Sequence, residues 1–306
     1  MLYPEGKFGI AKQFWQHTGL GISSRLATHI LATLASSVSS PLPSPTRTKP
    51  LAHRHYSAKH SRRPSQASDG AGALEEDQAV YLEQRYGRNL DVAAVTLAKR
   101  ALRRRIAGVL VRDESTANGE VEVGQSVRGA AVTENDVFLF PSGMSAIWTA
   151  HQLALDARGA KKSVCFGFAF MSPVSLNVPL SLSYLSRFPY TDTLKVLEKW
   201  GPGCYFLGHG LDSCIDELEA ILEAEQAQNP HEPPILALVT EFPSNPLLRS
   251  PDLSRLRTLA DKYDFLIIVD DSIGNFVNVE TLPFADMVAT SLTKIFSGDS
   301  NVMGGR

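Results

Sequence analysis

The sequence predicts an α/β fold built on a mostly parallel sheet that helices cover on both faces. From residue 131 onward, short apolar runs typical of buried strands alternate with segments whose apolar residues recur at helical spacing. This alternation indicates parallel strands, because a parallel pair needs a crossover helix between its members. The predicted strands are 137–140, 163–167, 204–207, 235–239, 265–269 and 287–289. Ligands bind beyond the carboxyl ends of such strands, so the residues after each strand are the functional candidates.

Composition and charge argue against several classes of protein. The chain has 306 residues, with 30 Lys and Arg against 32 Asp and Glu, so its formal net charge is −2 and no nucleic-acid partner is implied. Its cysteines, Cys165, Cys204 and Cys214, lack metal-ligand spacing, and we predict neither a metal site nor a disulfide framework. The uncharged stretch 168–186 contains prolines and makes a poor membrane span, so no membrane partner is expected.

The first 73 residues differ in composition from the rest. No acidic residue occurs between Glu5 and Asp69, and the tract 36–68 is rich in Ser, Pro and basic residues. We predict a disordered, low-complexity extension over residues 1–73, followed by an N-terminal helical segment over 74–130. A mitochondrial transit peptide is the alternative interpretation of the acid-poor start, but Pro4 and its neighbours interrupt the amphipathic helix that such a peptide needs. We therefore expect a cytoplasmic protein.

A small-residue turn follows the first predicted strand. Ser142, Gly143 and Met144 lie between that strand and a helix that begins near residue 146. A helix N-terminus at this position presents free backbone amides to an anion such as phosphate. Taken alone, Ser-Gly before a helix is more often a simple cap. Asn245, after a later strand, is on its own a turn residue.

An acid and a lysine occupy the corresponding positions near the end of the chain. Asp270 follows the apolar run 265–269, and Lys294 comes some twenty residues later, after the hydroxyl residues Ser291 and Thr293. A pyridoxal-phosphate enzyme needs these two groups, a lysine that forms a Schiff base and an acid that pairs with the pyridinium nitrogen. Without further support, they are better interpreted as a strand-end acid and a surface lysine.

Six motifs, in order between Tyr81 and Arg306, carry a resemblance to a known family. They are Tyr-Gly-Arg-Asn at 86–89, Pro-Ser-Gly-Met at 141–144, Phe-Pro-Tyr-Thr-Asp-Thr at 188–193, Glu-Phe-Pro-Ser-Asn-Pro at 241–246, Val-Asp-Asp-Ser at 269–272, and Ser-Leu-Thr-Lys at 291–294 followed by Gly304-Gly305. On these motifs the chain resembles the Cys/Met-metabolism pyridoxal-phosphate enzymes, most closely the fungal type of cystathionine gamma-synthase. The resemblance implies the large domain of a PLP-dependent transferase-like protein (fold type I) over residues 131–306.

The same resemblance implies a cofactor, pyridoxal 5′-phosphate, and a role for each site residue. Lys294 would be the Schiff-base lysine and proton shuttle, Asp270 would keep the pyridinium nitrogen protonated, and Tyr190 would stack on the ring as a catalytic residue. The other cofactor-binding residues would be Ser142, Gly143, Met144, Ser291 and Thr293 at the phosphate, Asn245 near the ring oxygen or substrate carboxylate, and Tyr86 and Arg88, which in this family reach the phosphate of the neighbouring subunit.

The implied reaction is γ-replacement in methionine and cysteine metabolism, in which cysteine replaces the acyl group of an O-acyl-homoserine. The implied partners are small amino-acid substrates and further copies of the chain in a homo-oligomer. Two departures from the family qualify this expectation. Residues 168–187 form an insertion before Tyr190, and the chain stops at Arg306, before the small C-terminal domain that carries the family's carboxylate-binding arginine. We therefore expect that domain to be absent, and a catalytically incomplete PLP-binding chain is the alternative.

Overall fold

The computed structural model describes residues 4, 6–21, 30–31, 34, 95–110, 123–128, 131–167, 191–246, 248–298 and 302–306. The chain divides into two compact units, one of residues 1–21 and 96–306 and the other of residues 22–95. In the second unit the described residues, Ile30, Leu31, Leu34 and Val95, are helical. The predicted insertion 168–187 lies outside the described residues, and so does most of the predicted extension.

A five-stranded parallel sheet forms the centre of the first unit. Its strands are β1 (Ser163–Phe166), β2 (Cys204–Leu207), β3 (Ala237–Glu241), β4 (Leu266–Asp270) and β5 (Met287–Ala289), and they lie in the order β2-β1-β3-β4-β5. Every neighbouring pair is parallel. The predicted α/β class is therefore confirmed. The predicted strand at 137–140 is wrong, because Phe140 forms only an isolated bridge with Gly305.

Helices cover both faces of this sheet. In chain order the helices are α1 (Phe8–Thr18), α2 (Val95–Ala107), α3 (Gly143–Arg158), α4 (Thr191–Lys199), α5 (Asp212–Gln228), α6 (Leu253–Tyr263) and the short α7 (Asn275–Asn278), and α3 to α6 are the ones that cover the sheet. Phe166 and Val269 pack with side chains of α5 and α6 in one buried cluster, whereas Cys165 and Ile268 pack with α3 and α4 in another. Successive strand residues face opposite sides, so strands that are buried on both faces are continuous apolar runs.

Helix α1 corrects the prediction that the whole of residues 1–73 is a disordered extension. The ring of Phe14 makes edge contacts with Trp148 of α3, 6.3 Å between centroids, and with Trp200 after α4, 5.6 Å. The indole Nε1 of Trp200 donates a hydrogen bond to His17 Nδ1 (3.1 Å), and His17 and Thr18 are buried. Phe14, His17 and Thr18 share one helical face, a periodicity that composition alone does not register.

The described residues contain neither a candidate membrane-spanning helix nor a candidate metal site. No helix in the described ranges is long and apolar enough to cross a membrane. No group of three or more His, Cys, Asp or Glu side chains that could hold a metal ion occurs among the residues that the structure describes.

Candidate active site

A cavity of about 210 Å³ lies at the edge of the sheet where β3 and β4 end. Most of the predicted site residues line it, namely Ser142, Gly143, Met144, Asn245, Asp270, Ser291, Thr293 and Lys294. Strand β3 ends at Glu241, β4 ends at Asp270, and α3 begins at Gly143, so two strand ends and one helix N-terminus meet here. Tyr190, Tyr86 and Arg88 lie outside the described residues, and their assigned roles stay predictions.

The first turn of α3 forms one end of the cavity, which we call the phosphate end. Ser142 is the N-cap, and its Oγ accepts a hydrogen bond from the Ser145 N–H (3.1 Å), while Ser145 Oγ accepts one from the Ser142 N–H (3.1 Å). The N–H groups of Gly143 and Met144 form no hydrogen bond within the described ranges. Free amides and the positive end of the helix dipole together favour an anion at this position.

Glycine allows the segments around the phosphate end to approach closely. A Cβ atom on residue 143 would lie 2.7 Å from the Cβ and 2.9 Å from the Cα of Ser291. A Cβ atom on residue 305 would overlap the carbonyl of Ser142. Gly305 also forms backbone bridges with Phe140 and Ser291, so it joins the strand-like segment before α3 to the loop that leads to Lys294. Only glycine fits at positions 143 and 305 without displacing these neighbours.

The hydroxyl groups at the phosphate end differ in their availability. Ser142 Oγ donates to the carbonyl oxygen of Gly19 (3.1 Å), and Thr293 Oγ1 accepts a hydrogen bond from the Gly304 N–H (3.1 Å). The hydroxyl of Ser291 has no hydrogen-bond partner within the described part of the chain. Of the two hydroxyls that the resemblance assigns to the phosphate, that of Ser291 has no partner among the described residues, and that of Thr293 has only a long contact of 3.5 Å to the Gly304 carbonyl as an acceptor for its proton.

Two carboxyl groups form the opposite, acid end of the cavity. Asp270 and Glu241 are register partners across β4 and β3, and both are buried. Burial raises the pKa of Asp270 to about 6, although hydrogen bonds from Ser272 act in the opposite direction. Burial, and then the nearby charge of Asp270, raise the pKa of Glu241 to about 8, against a hydrogen bond from the Asn245 N–H (2.9 Å). The arrangement disfavours ionisation of both groups together.

Glu241 is the site residue to which the sequence interpretation assigned no role. It lines the cavity beside Asp270, and Asn245 contributes both its backbone N–H to Glu241 and part of the cavity wall. The signal was present in the sequence, since Glu241 ends a buried strand in the same way as Asp270. What the sequence could not provide was the strand register that brings these two acids side by side.

Asp271, the neighbour of Asp270, belongs to the core instead of the cavity. Its carboxylate is fully buried, pairs with Arg306 Nη2 (2.8 Å) and accepts a hydrogen bond from the hydroxyl of Thr290. Burial raises the pKa of Asp271, and the Arg306 guanidinium opposes that change. The guanidinium of Arg306 also lies 5.0 Å from the ring centroid of Phe276. The pair Asp270-Asp271 thus splits into one acid that faces the cavity and one held by an arginine.

Lys294 lies in the turn that follows Ser291, with its backbone N–H bonded to the Ser291 carbonyl (3.2 Å). Its side chain is exposed at the cavity wall and forms no ion pair with any residue that the structure describes. Ile147, Pro243 and Met303 supply apolar wall between the two ends. The donor set therefore fits pyridoxal phosphate, with amides for the phosphate, a buried acid for the ring nitrogen, and an amine between them.

Comparisons with known proteins agree with this chemistry. Residues 214–306 match the family described as Cys/Met metabolism PLP-dependent enzyme, and residues 1–23 match the N-terminal domain of fungal trans-sulfuration enzymes. The second match coincides with α1, the helix that the composition had concealed. Both ends of the first compact unit therefore carry a family match.

Curated relatives align with the chain over its whole length. A cystathionine gamma-synthase-like enzyme, iboG2 of Amanita muscaria, is 50% identical over 315 residues, which are 100% of this chain and 45% of the relative. The cystathionine gamma-synthase of Neurospora crassa is 40% identical over 336 residues, 100% of this chain and 49% of its own. Alanine racemase ungC of Aspergillus violaceofuscus is 35% identical over 310 residues, 100% of this chain and 41% of its own. The chain spans about half the length of the curated relatives it matches.

Among solved structures, a Campylobacter jejuni protein described as an O-acetylhomoserine (thiol)-lyase carries N′-pyridoxyl-lysine-5′-monophosphate. It covers 55% of this chain and 34% of its own, at 18% identity and a TM-score of 0.37. The parallel sheet, the family matches at residues 1–23 and 214–306 and the full-length relatives agree on the fold type I large domain that the resemblance implied. This chain belongs to the Cys/Met-metabolism family of pyridoxal-phosphate-dependent enzymes.

Proposed function

We propose that the cavity binds pyridoxal phosphate and serves a trans-sulfuration reaction of the cystathionine gamma-synthase type, the γ-replacement of an O-acyl-homoserine by cysteine. One observation carries the proposal. The free amides of α3, the buried Asp270 and the exposed Lys294 converge on a single cavity at the carboxyl ends of parallel strands. The relatives named cystathionine gamma-synthase support the reaction class.

The residues of the chain divide the work between holding the cofactor and moving a proton. When bound, pyridoxal phosphate supplies an electron sink for the bond broken at the substrate Cα. The Gly143 and Met144 amides would hold the phosphate, and the Asp270 carboxylate would keep a proton on the ring nitrogen. The amine of Lys294 would hold the cofactor before substrate arrives, and once released it would remove the Cα proton and return one to the product.

Asp270 suits this role because its charge responds to its surroundings. Burial raises its pKa to about 6, so at neutral pH the carboxyl group is mostly ionised, and keeping that charge buried costs free energy. A cation beside a buried carboxylate favours the charged form, so a protonated ring nitrogen lowers the pKa of Asp270 and stabilises the pair. The adjacent Glu241, whose pKa is raised to about 8, remains largely neutral and leaves a single negative charge facing the ring.

The proton transfer at Cα is common to γ-replacement and to the racemisation named for one relative. Trans-sulfuration further requires departure of the γ-acyl group and addition of cysteine. Several relatives are named cystathionine gamma-synthase or its like, at 50%, 40% and 32% identity, against 35% for the one named alanine racemase, and this preponderance favours trans-sulfuration as the proposed reaction.

The first test is a titration of the purified chain with pyridoxal phosphate. We expect a visible absorption band that saturates with one cofactor per chain and is lost in Lys294→Ala. Lys262→Ala, which removes an exposed lysine of α6, is the matched control and should keep the band. Failure of the wild-type chain to develop a Lys294-dependent band would overturn the proposed cofactor site.

The second test supplies an O-acyl-homoserine and cysteine, and measures cystathionine by chromatography. Formation of cystathionine that requires Lys294 supports the proposed reaction. A band without turnover indicates the alternative, a chain that binds the cofactor but is catalytically incomplete. Interconversion of L- and D-alanine, with no cystathionine, would instead identify racemisation as the activity.

A further inference from the structure

The segment before residue 21 contacts the phosphate end of the cavity. We call residues 8–20, which are α1 and the two residues after it, the N-terminal strap. Its contact is the hydrogen bond from Ser142 Oγ to the carbonyl oxygen of Gly19, 3.1 Å long and made across 123 positions of sequence. Ser142 caps the helix whose first amides face the cavity, so the strap reaches the site through one residue.

Gly19 packs so closely against α3 that a Cβ atom could not be accommodated. A Cβ atom there would overlap Ser142 Oγ and would lie 2.7 Å from the Ser145 backbone nitrogen and 2.8 Å from Met144 Cβ. Its backbone is also left-handed, with φ of +59°, a conformation that side chains disfavour. The position therefore requires glycine for two independent reasons, its close contacts with the first turn of α3 and its own left-handed backbone at the end of α1.

The Ser142 hydroxyl donates its proton to the strap, in the hydrogen bond to the Gly19 carbonyl. Ser145 Oγ donates its own proton to the Ser142 carbonyl (2.8 Å), and the Ser142 hydroxyl donates to Gly19. The same Ser142 oxygen accepts the Ser145 N–H. A serine hydroxyl carries one proton, so Ser142 has none left for a phosphate. Its rotamer and its cap are instead set by Gly19, which leaves the amides of Gly143 and Met144 free.

The strap is anchored well enough to impose this geometry. Phe14 packs against Trp148, which lies on α3 itself, and His17 accepts the Trp200 N–H. Gln16 Nε2 donates to the carboxylate of Asp192 on α4 (3.2 Å). The strap thus holds α3 at two places, its first turn and the turn that carries Trp148, and it couples both to α4.

We propose that the N-terminal strap is a positioning element of the cofactor site, in which Gly19 fixes Ser142 and so holds the first turn of α3 with the Gly143 and Met144 amides directed at the cofactor phosphate. The inference rests on the proposed function, since it concerns the same cavity, and it goes beyond that function by giving α1 a role in cofactor affinity. No residue of the strap lines the cavity, so the strap acts through Ser142.

The test compares Gly19→Ala with Gly9→Ala. Gly9 lies near the other end of the same strap, in α1, and a Cβ atom there would have nothing within 4 Å, so it is the matched control. Each protein is titrated with pyridoxal phosphate and, separately, with pyridoxal, which lacks the phosphate. We expect Gly19→Ala to raise the Kd for pyridoxal phosphate about tenfold, equivalent to one hydrogen bond to a charged group, and to leave that for pyridoxal unchanged. Gly9→Ala should change neither.

Two outcomes would overturn the inference. An unchanged Kd for pyridoxal phosphate in Gly19→Ala overturns it, and so does an equal loss for pyridoxal, because general damage to the fold does not select for the phosphate. Failure of the wild-type chain to bind either compound is a failure of the proposed function and is recognised as such. If Gly19→Ala does not fold, Phe14→Ala loosens the strap from a distance, and its ratio of the two Kd values decides in the same way.

Discussion

The two ends of the cavity are built from different materials. The phosphate end consists of backbone amides at the start of α3, and its geometry depends on glycines at positions 143 and 305. The acid end consists of the side chains of Asp270 and Glu241, whose pKa values are raised by burial. Backbone amides do not titrate, whereas carboxyl groups do. The acid end should therefore respond to pH, and the phosphate end should respond to added side-chain volume.

The largest loss of stability is expected when the buried ion pair between Asp271 and Arg306, next to the acid end, is removed. Asp271→Asn leaves the buried guanidinium of Arg306 without its partner, which costs about 3–5 kcal/mol of the free energy of unfolding. The neighbouring change Asp270→Asn removes a buried charge and keeps an oxygen for the Ser272 N–H, so it should not destabilise the cofactor-free protein above pH 6. Denaturant unfolding of both variants checks this contrast. Equal losses in the two would refute the division between cavity acid and core acid.

The next largest effect is expected from a substitution at the phosphate end. Gly143→Ala forces the first turn of α3 away from Ser291, and we expect a loss of about 1–3 kcal/mol in stability. The Kd for pyridoxal phosphate should rise roughly 100-fold, the equivalent of two weakened hydrogen bonds to a charged group. Gly304→Ala is the control, because a Cβ atom there would meet Leu292 only at ordinary contact distance, 3.5 Å. A Gly143→Ala protein that binds the cofactor as tightly as Gly304→Ala would contradict this account.

The smallest expected effect is a dependence of the free energy of unfolding on pH, which arises at the acid end. The pKa of Glu241 is raised from 4.5 to about 8 in the folded chain, so between those values the folded chain binds more protons than the unfolded chain. The free energy of unfolding of the cofactor-free protein should therefore fall as pH rises from about 4.5 to 8. Glu241→Gln should reduce this slope and be more stable than wild type at pH 9 by at least about 1.4 kcal/mol.

Unfolding curves at several pH values measure this slope, with the exposed Glu217→Gln of α5 as the control. Asp270 contributes a smaller change of the same sign, between 3.8 and about 6, which should persist in the Glu241→Gln protein. A slope that Glu241→Gln leaves unaltered over the upper half of the window would show that this acid is not the group that titrates there.

Much of the fold could be predicted from the sequence because parallel strands buried on both faces leave an unambiguous apolar run. The run at 265–269 and the acid after it are an example, since β4 is Leu266–Asp270 and its last residue lines the cavity. The run at 137–140 misled for a physical reason. Phe138 is exposed and Phe140 pairs only with Gly305, so this segment has apolar residues without a neighbouring strand.

The site was less predictable than the fold, because its details depend on contacts between distant segments. The sequence has Asp270 and Asp271 side by side, and only the position of Arg306 determines which of them the core retains. The proximity of Glu241 depends on strand register, and that of Gly19 on a helix whose composition resembles disorder. Motif order predicted a chemical role for Lys294, whereas the contacts among the segments around the cavity could be found only from the three-dimensional structure.

The bridges that Gly305 makes with Phe140 and Ser291 have a consequence for the order of folding. The bridge to Phe140 closes the phosphate end between segments that are far apart in the sequence, and such a contact forms slowly because a long loop must be closed first. Synthesis proceeds from the N-terminus, so α1 and α3 are synthesised long before residue 305. The bridges at Gly305 cannot form until that residue has been added. We expect the sheet to acquire protection from hydrogen exchange before the first turn of α3 does, which pulse labelling during refolding would measure. Cofactor capture would then be among the last events in the maturation of the chain.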